Sequence, residues 1–211
     1  MFVTNGAYRL SFTTGGLLRA EAVAMAGLLV ATPDAATARA QAVEWNLVQQ
    51  RTAASTLRVT REVVQRLSEL PPAGVELVAH GSVDDSRQLM WLAACLRYRF
   101  LRDFGREVVR DRLVSGRGIV GLADFDTFWN LQSSWVDALR DVADSTRSKL
   151  RQNTFRMLRE AGLLDNENRV LPICPAPGVS AVVAAVGDEL LLSFPIHDAQ
   201  VAAFAGRDGA R

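Results

Sequence analysis

Apolar positions along this chain recur mostly at three- and four-residue spacing, the period of helices with one buried face, and only short stretches break it. Tyr8 to Gly16, YRLSFTTGG, reads as a short extended piece closing in a turn. Leu17, Val23 and Leu28 then mark a helix over LLRAEAVAMAGLL, with Thr13 or Thr14 as its N-cap. Pro33 and Asp34 stop that helix and start another. Between 35 and 70 the pattern predicts AATARAQAVEWNLVQQ and TAASTLRVTREVVQRLSEL as helices, the second with Leu57, Val64 and Leu67 on one face. PPAG, Pro71 to Gly74, is the best internal boundary. It divides the chain into an N-terminal helical subdomain, 1–72, and a C-terminal helical, winged-helix-like subdomain, 73–211.

Val75 to Ala79 suits a short helix, and Ser82 with Asp85 three residues on has the form of a capping box. A long helix, roughly Asp84 to Leu113, is predicted to follow. In it Leu89, Leu92, Leu96, Phe100 and Phe104 face a core, while Arg99, Arg102, Arg106 and Arg110 line another side. SGRGIVG interrupts as a loop. In LADFDTFWNLQSSWVDALRDV, Asp124 or Asp126 caps and Phe128, Leu131 and Trp135 supply apolar positions; Trp91, Trp129 and Trp135 all suit a core. STRSKLRQNTFRMLREAGLLD, 145–165, is the next helix, capped by Ser145 or Thr146 and closed at Ala161–Gly162, where glycine permits left-handed backbone. Asn168 to Ile173 and Glu189 to Ile196 read as strands, separated by PGVSAVVAAV as a short helix or buried segment. The tail AGRDGAR should fray.

Half the residues are apolar, 49% of 211, so the chain can bury one substantial core or two small ones. Its 24 basic residues nearly balance 23 acidic ones, for a formal net charge of +1, which excludes a protein that coats polyanion everywhere. Any nucleic-acid surface must be local. Cys95 and Cys174 are too few and too far apart for a disulfide framework or a zinc site, and fit a reducing cytoplasm. MFVTNGAYRLSF lacks the order of a secretory signal, and Ala22 to Ala31 falls short of the roughly 18 apolar residues a spanning helix needs. These features predict a soluble, cytoplasmic protein without a membrane partner.

Gly116-x-Gly118-x-x-Gly121 matches a dinucleotide fingerprint in form, but a helix precedes it and no βαβ pattern surrounds it, so it reads as a flexible loop. His80 and His197 have no serine elbow, cysteine motif or paired ligand spacing beside them. No catalytic, cofactor-binding or metal residue is assigned. The basic helix carries more chemistry. On a wheel of about 100° per residue, Leu150, Thr154, Met157, Leu158 and Ala161 gather on one arc, while Lys149, Gln152, Asn153 and Arg156 gather opposite, with Arg159 near them. That outer arc combines phosphate-binding cations with amides able to meet base edges, as a recognition helix does. The plainer alternative is an ordinary solvated face. A basic helix followed by a turn and two short strands has the order of a winged helix-turn-helix. The predicted fold class is therefore mainly α: a compact helical protein with a small C-terminal β-hairpin, its C-terminal half resembling a winged helix-turn-helix. Arg99, Arg102 and Arg106 form a second strip that either pairs internally with Asp103, Glu107 and Asp111 or extends a phosphate track.

In these blocks the chain resembles the BrxA family of the BREX bacteriophage-exclusion systems. The likeness rests on YRLSFTTGGLL, SRQLMWLAACLRYRFLRDF, DFDTFWN and, most specifically, STRSKLRQNTFRMLREAGLLD running into LLLSFPI. These sit in order across almost the whole chain, with little from about 32 to 75. The resemblance implies a small helical accessory protein, encoded with a methyltransferase, a phosphatase-like protein and large ATPases, that lacks a catalytic centre and binds double-stranded DNA. Applied here, Arg147, Lys149, Arg151, Gln152, Asn153, Arg156 and Arg159 would contact DNA. The alternative is an adaptor that docks other defence proteins without touching DNA, for which an exposed tryptophan would be the anchor.

Overall fold

The computed structural model describes residues 8–32 and 34–208, a succession of helices joined by short connections. The predicted stop at Pro33, the first seven residues and the last three of the tail lie outside the described residues. Tyr8 to Leu18 runs as an irregular strap, and α1 (Arg19–Ala31) starts after Leu18 takes a left-handed backbone (φ 59°), so neither Thr13 nor Thr14 is its cap. Asp34 caps α2 (Ala35–Glu44), and Thr52 caps α3 (Ala53–Leu67). Left-handed Asn46 and Gln49 separate the two, ending α2 earlier than its sequence pattern suggests. Pro72 opens α4 (Pro72–His80) at a position where proline loses no helical hydrogen bond. The predicted capping box forms: Ser82 Oγ accepts from the Asp85 amide at 3.0 Å and Asp85 Oδ2 accepts from the Ser82 amide at 2.9 Å, starting α5 (Val83–Arg97).

Leu89 through Cys95, seven successive residues of α5, have no exposed surface. A helix buried all round is the axis of its fold rather than a facing layer. α1, α3, α4 and the later helix α10 (Asp144–Glu160) all pack against it. The long helix expected from Asp84 to Leu113 is a broken rod. Tyr98 takes an extended backbone (φ −120°, ψ 95°) between α5 and α6 (Arg99–Phe104), and Gly105–Arg110 is a π-helical turn before α7 (Asp111–Val114). The π turn forms where the Gly105 backbone meets the Ser193 carbonyl; a Cβ there would lie 2.5 Å from that oxygen. α8 (Leu122–Ser133) and α9 (Asp137–Arg140) lead to α10, then α11 (Pro177–Val186) and α12 (Asp198–Asp208), which carries the tail expected to fray as helix to the last described residue. Among the described residues no helix is long and apolar enough to cross a membrane.

The chain is mainly helical, as predicted, but the expected C-terminal β-hairpin does not form. Among the described residues there is no strand longer than an isolated bridge. Asp188–Ser193 winds as a 3-10 helix, because Leu190, Leu191, Ser193, Phe194 and Ile196 are all buried and leave no solvent face for strand alternation. The two segments predicted to pair meet through one backbone hydrogen bond, Ile173 N–H to Pro195 O at 3.1 Å. The segment between them is helical α11.

Arg66 on α3 is fully buried. Its guanidinium donates to Glu62 Oε1 at 2.8 Å and to the carbonyls of Gly16 and Leu17 at 2.9 and 3.1 Å. Tyr98, at the break in the rod, donates its hydroxyl to the same Glu62 oxygen at 2.6 Å. Burial, with the neighbouring Glu62 charge, pushes the Tyr98 phenol pKa up, keeping it a donor. One buried charge pair thus joins α3, the rod and the strap. Arg66→Met should cost about 3–5 kcal/mol in urea unfolding, since it strands the Glu62 carboxylate in the core. Adding Glu62→Leu should recover part of that loss; a double variant weaker than Arg66→Met would show that the pair is not coupled as described.

Candidate nucleic-acid interface

α10 starts at Asp144 with Ala143 as its N-cap residue, so Ser145 and Thr146 do not cap it and stand exposed on its first turn. Its far end closes as its sequence requires. Gly162 is left-handed (φ 74°), its amide donates to Arg159 O at 3.0 Å and the Leu163 amide to Leu158 O at 2.9 Å, the paired bonds of a Schellman closure. The predicted inner arc is inside: Leu150, Thr154, Met157, Leu158 and Ala161 are buried. Phe155 joins them, 6.3 Å from the Phe104 ring, at the edge of a cluster in which Phe100 meets Phe125, Phe128 and Trp129 at 5.3–5.5 Å. These rings fix α8 and α10 on the rod.

The outer arc differs from expectation at one position. Asn153 is buried, and its Nδ2 donates to the Phe12 carbonyl at 2.9 Å, so it fastens the strap and is not presented to a ligand. Glu160, the last residue of α10, does the same, accepting from the Leu17 amide at 2.5 Å. Of the remaining outer-arc residues, Lys149, Gln152 and Arg159, but not Arg156, border an open groove of about 530 Å³ between α10 and the first turn of α8. Ser145, Ser148, Lys149, Arg151, Gln152 and Arg159 line it from α10, over Phe155, and Leu122 closes it from α8. Ser145 and Ser148 were missed from sequence, although 145, 148, 149, 152, 156 and 159 form one helical stripe.

Several of the cations are already paired. Asp126 takes Arg147 at 3.0 Å and Arg151 at 2.7 Å, and Arg147 also lies 5.5 Å over the Trp129 ring. Asp126 is therefore a partner of the basic helix and not the cap of α8; Asp124 accepts from the Gly121 amide at 2.7 Å and pairs with Arg112. Arg156 is bound by Glu160 at 2.7 Å and Arg159 by the Asn168 side chain at 2.8 Å. Lys149 donates to Gln152 at 3.1 Å. Lys149 and Arg159 thus carry charge into the groove without a carboxylate partner among the described residues.

The second arginine strip is apart from this groove. Arg99 and Arg102 both pair with Asp103, at 3.1 and 3.4 Å, and Arg99 lies over the Tyr8 ring. Arg110 pairs with Asp198, while Arg106 is exposed without an ion pair among the described residues. Asp103, Glu107 and Asp111 stand among these arginines, so the strip is a mosaic of both signs, and burial with the adjacent Asp103 raises the Glu107 pKa. Of the tryptophans, Trp91 and Trp129 are in the core, but Trp135 is 81% exposed beside Leu131 at 56%.

Beyond α10 the chain doubles back on itself. Leu164 bridges Val170, Ile119 bridges Arg169, and the Val120 amide donates to Asn168 O at 3.0 Å. The loop before α8 and the turn after α10 are thereby held side by side, at the edge of the groove. Asp165 organises the turn, accepting from the amides of Arg169 at 2.8 Å and Glu167 at 2.9 Å.

The sequence model of the BrxA family matches residues 6–186. The BREX protein BrxA of Escherichia coli O9:H4 (strain HS) is 28% identical over 181 residues, 85% of each chain. The BREX protein BrxA of Bacillus cereus (strain H3081.97) is 26% identical over 127 residues, 60% of this chain and 64% of that one. In fold, the chain is similar to the crystal structure of an uncharacterized protein from Magnetospirillum magneticum, with a TM-score of 0.76 at 22% identity, covering 90% of this chain and 98% of the other.

The amide bonds to Asp165, led by that from Arg169, hold its carboxyl below its usual pKa. A depressed folded value means that the turn is complete above the ordinary carboxylate value of about 3.9 and loosens as pH falls through the lower folded one. The amide NMR shifts of Glu167 and Arg169 should titrate with a midpoint below about 3.9, and Asp165→Asn should abolish that titration. A midpoint at or above the ordinary value would remove Asp165 as the organiser of the turn.

Proposed function

The chain belongs to the BrxA family, and on that footing we propose that it is a non-enzymatic, double-stranded DNA-binding accessory protein of a BREX anti-phage defence system. It works in the cytoplasm beside the other BREX proteins: a methyltransferase, a phosphatase-like protein and an ATPase. The observation that carries the reading is the stripe of Ser145, Ser148, Lys149, Gln152 and Arg159 along one open groove of α10. A stripe of hydroxyls, an amide and cations on a rigid helix offers both phosphate and base-edge contacts.

The surrounding order supports a winged-helix arrangement with different strands from those the sequence suggested. The rod, the Gly118–Val120 segment, α8, α10 and the turn from Leu163 to Leu171 come in the order helix, strand, helix, helix and wing of that motif, with the one-turn α9 between α8 and α10. In this reading α10 lies along the major groove, Lys149, Arg151 and Arg159 meet phosphates, and the Asp165 turn is a short wing. Arg151, together with Arg147, meets phosphate only after giving up Asp126, and Arg156 contributes after giving up Glu160. Asn153 acts only as a fastener. Trp135 favours a second reading, an adaptor that docks a partner protein through that exposed ring. The readings differ in whether the isolated protein binds duplex.

Titration of a labelled random duplex over a range of salt should give log affinity falling with log salt at about −0.9 per phosphate contact, hence roughly −3 to −4 for four contacts. Lys149→Glu with Arg159→Glu should flatten that slope by about two contacts, and Arg156→Glu with Arg159→Glu by a comparable amount. An unchanged slope in a variant whose circular dichroism is native would mean that the surface is wrongly assigned. Asp126→Asn should have the opposite sign, tightening duplex binding by about threefold to tenfold at low salt, because it frees Arg147 and Arg151 together. Weaker binding by that variant would show that Asp126 positions the arginines rather than competing for them.

A further inference from the structure

Basic residues also gather on the opposite half of the sequence, and there they lack internal partners. Arg39 on α2, Arg51 before α3, and Arg58 and Arg61 on α3 are exposed and form no ion pair among the described residues. The Arg39 guanidinium is tied only to the carbonyl of Ala35, at 3.2 Å. Nearby acids are mostly engaged: Asp34 caps α2, Glu62 holds Arg66 and Glu69 pairs with Arg97, which leaves Glu44 at the far end of α2. Two of them, Arg39 and Arg61, flank a groove of about 520 Å³ between the two helices. Its lining is largely aliphatic, Ala40 and Val43 from α2 and Leu57 and Val64 from α3, with Thr60 and Gln65 of α3 beside them. Leu57, expected in the core from its spacing, is 48% exposed, and Trp45 just past α2 is 59% exposed.

We propose that this α2–α3 groove is a docking site for an acidic, amphipathic helix of a partner protein. Leu57 and Val64 are two turns apart, about 10 Å along the axis, which matches apolar side chains at positions i, i+3 or i+4, and i+7 of a guest helix laid in the groove. Arg39 and Arg61 then stand where carboxylates on the flanks of that helix would reach them. A DNA duplex offers phosphates to the same arginines but has no row of aliphatic side chains to fill the apolar floor. The groove therefore fits protein better than nucleic acid. The proposal is independent of whether α10 binds DNA.

The test is selection from a displayed library of helical peptides on the immobilised full chain, followed by fluorescence anisotropy of the enriched peptides. Enriched peptides should carry Asp or Glu beside Leu or Phe at helical spacing, and bind at least tenfold more weakly to Leu57→Ser and to Arg39→Glu/Arg61→Glu. Both variants alter exposed side chains, and native circular dichroism confirms that they fold. Lys149→Glu/Arg159→Glu should bind the same peptides unchanged. No enrichment, or peptides retained equally by the groove variants, overturns the proposal. So does a random duplex that displaces the peptides and loses affinity for Arg39→Glu/Arg61→Glu, since the groove would then be a nucleic-acid surface. A wild-type dimer in sedimentation that Leu57→Ser converts to monomer overturns it as well, because a second copy would be the occupant.

Discussion

A guanidinium with no access to water keeps its charge and must find acceptors inside the fold, and Arg66 finds them for its Nε and Nη1 in a cluster of groups from three parts of the chain, while Nη2 has none. Glu62 is local to it on α3. Tyr98, sharing the Glu62 oxygen, belongs to the central rod, and the carbonyls of Gly16 and Leu17 belong to the N-terminal strap. The strap in turn receives Asn153 and donates to Glu160, both on α10. The position of α10 therefore depends, through the strap, on a charge pair in another helix. Hydrophobic burial alone would leave that helix free to slide or rotate on the aromatic cluster, since apolar contacts have little directional preference. The polar ties remove that freedom and fix which residues point outward.

What points outward is only partly free to act. Asp126 bridges Arg147 and Arg151, and Glu160 holds Arg156 while its other oxygen anchors the strap. Half-exposed ion pairs of this kind contribute little to stability, about 0–1 kcal/mol each. A phosphate can replace such a carboxylate at small net cost. The exchange returns the acid to solvent near the incoming polyanion, however, and that repulsion lowers affinity for any anion not held closely against the groove. The design favours a ligand that meets Lys149 and Arg159 first and recruits the paired arginines afterwards.

Features encoded within a few residues were legible in the sequence. The Ser82–Asp85 capping box, the Gly162 closure and the inner arc of α10 all rest on local spacing, and the structure contains each of them. Features set by distant contacts were not legible. Asn153 looks like a surface amide on a wheel, and only the Phe12 carbonyl, 141 residues away, draws it inside. Tyr98 breaks a rod whose periodicity is uninterrupted, because Glu62 captures its hydroxyl. The strand reading of Glu189 to Ile196 failed for a different reason. A segment buried at Leu190, Leu191, Ser193, Phe194 and Ile196 has no alternation to distinguish strand from tight helix, and its contacts with Trp91 and Gly105 decided the matter. Asp126, the main modulator of the candidate site, left no local signal at all.

A net charge of +1 conceals a division of labour that pairing brings out. On the rod, arginines and acids neutralise one another and leave a mosaic surface. On α10, cations share carboxylates at half-exposed positions, a state that a stronger anion can displace. On α2 and α3, arginines stand beside an apolar groove without internal carboxylates. Unpaired arginine at an apolar border suits a partner able to bury both kinds of surface, and paired arginine on a polar stripe suits one that competes by charge. The two surfaces therefore differ in physical demand, not merely in location. A single ligand class would be expected to weaken at one of them.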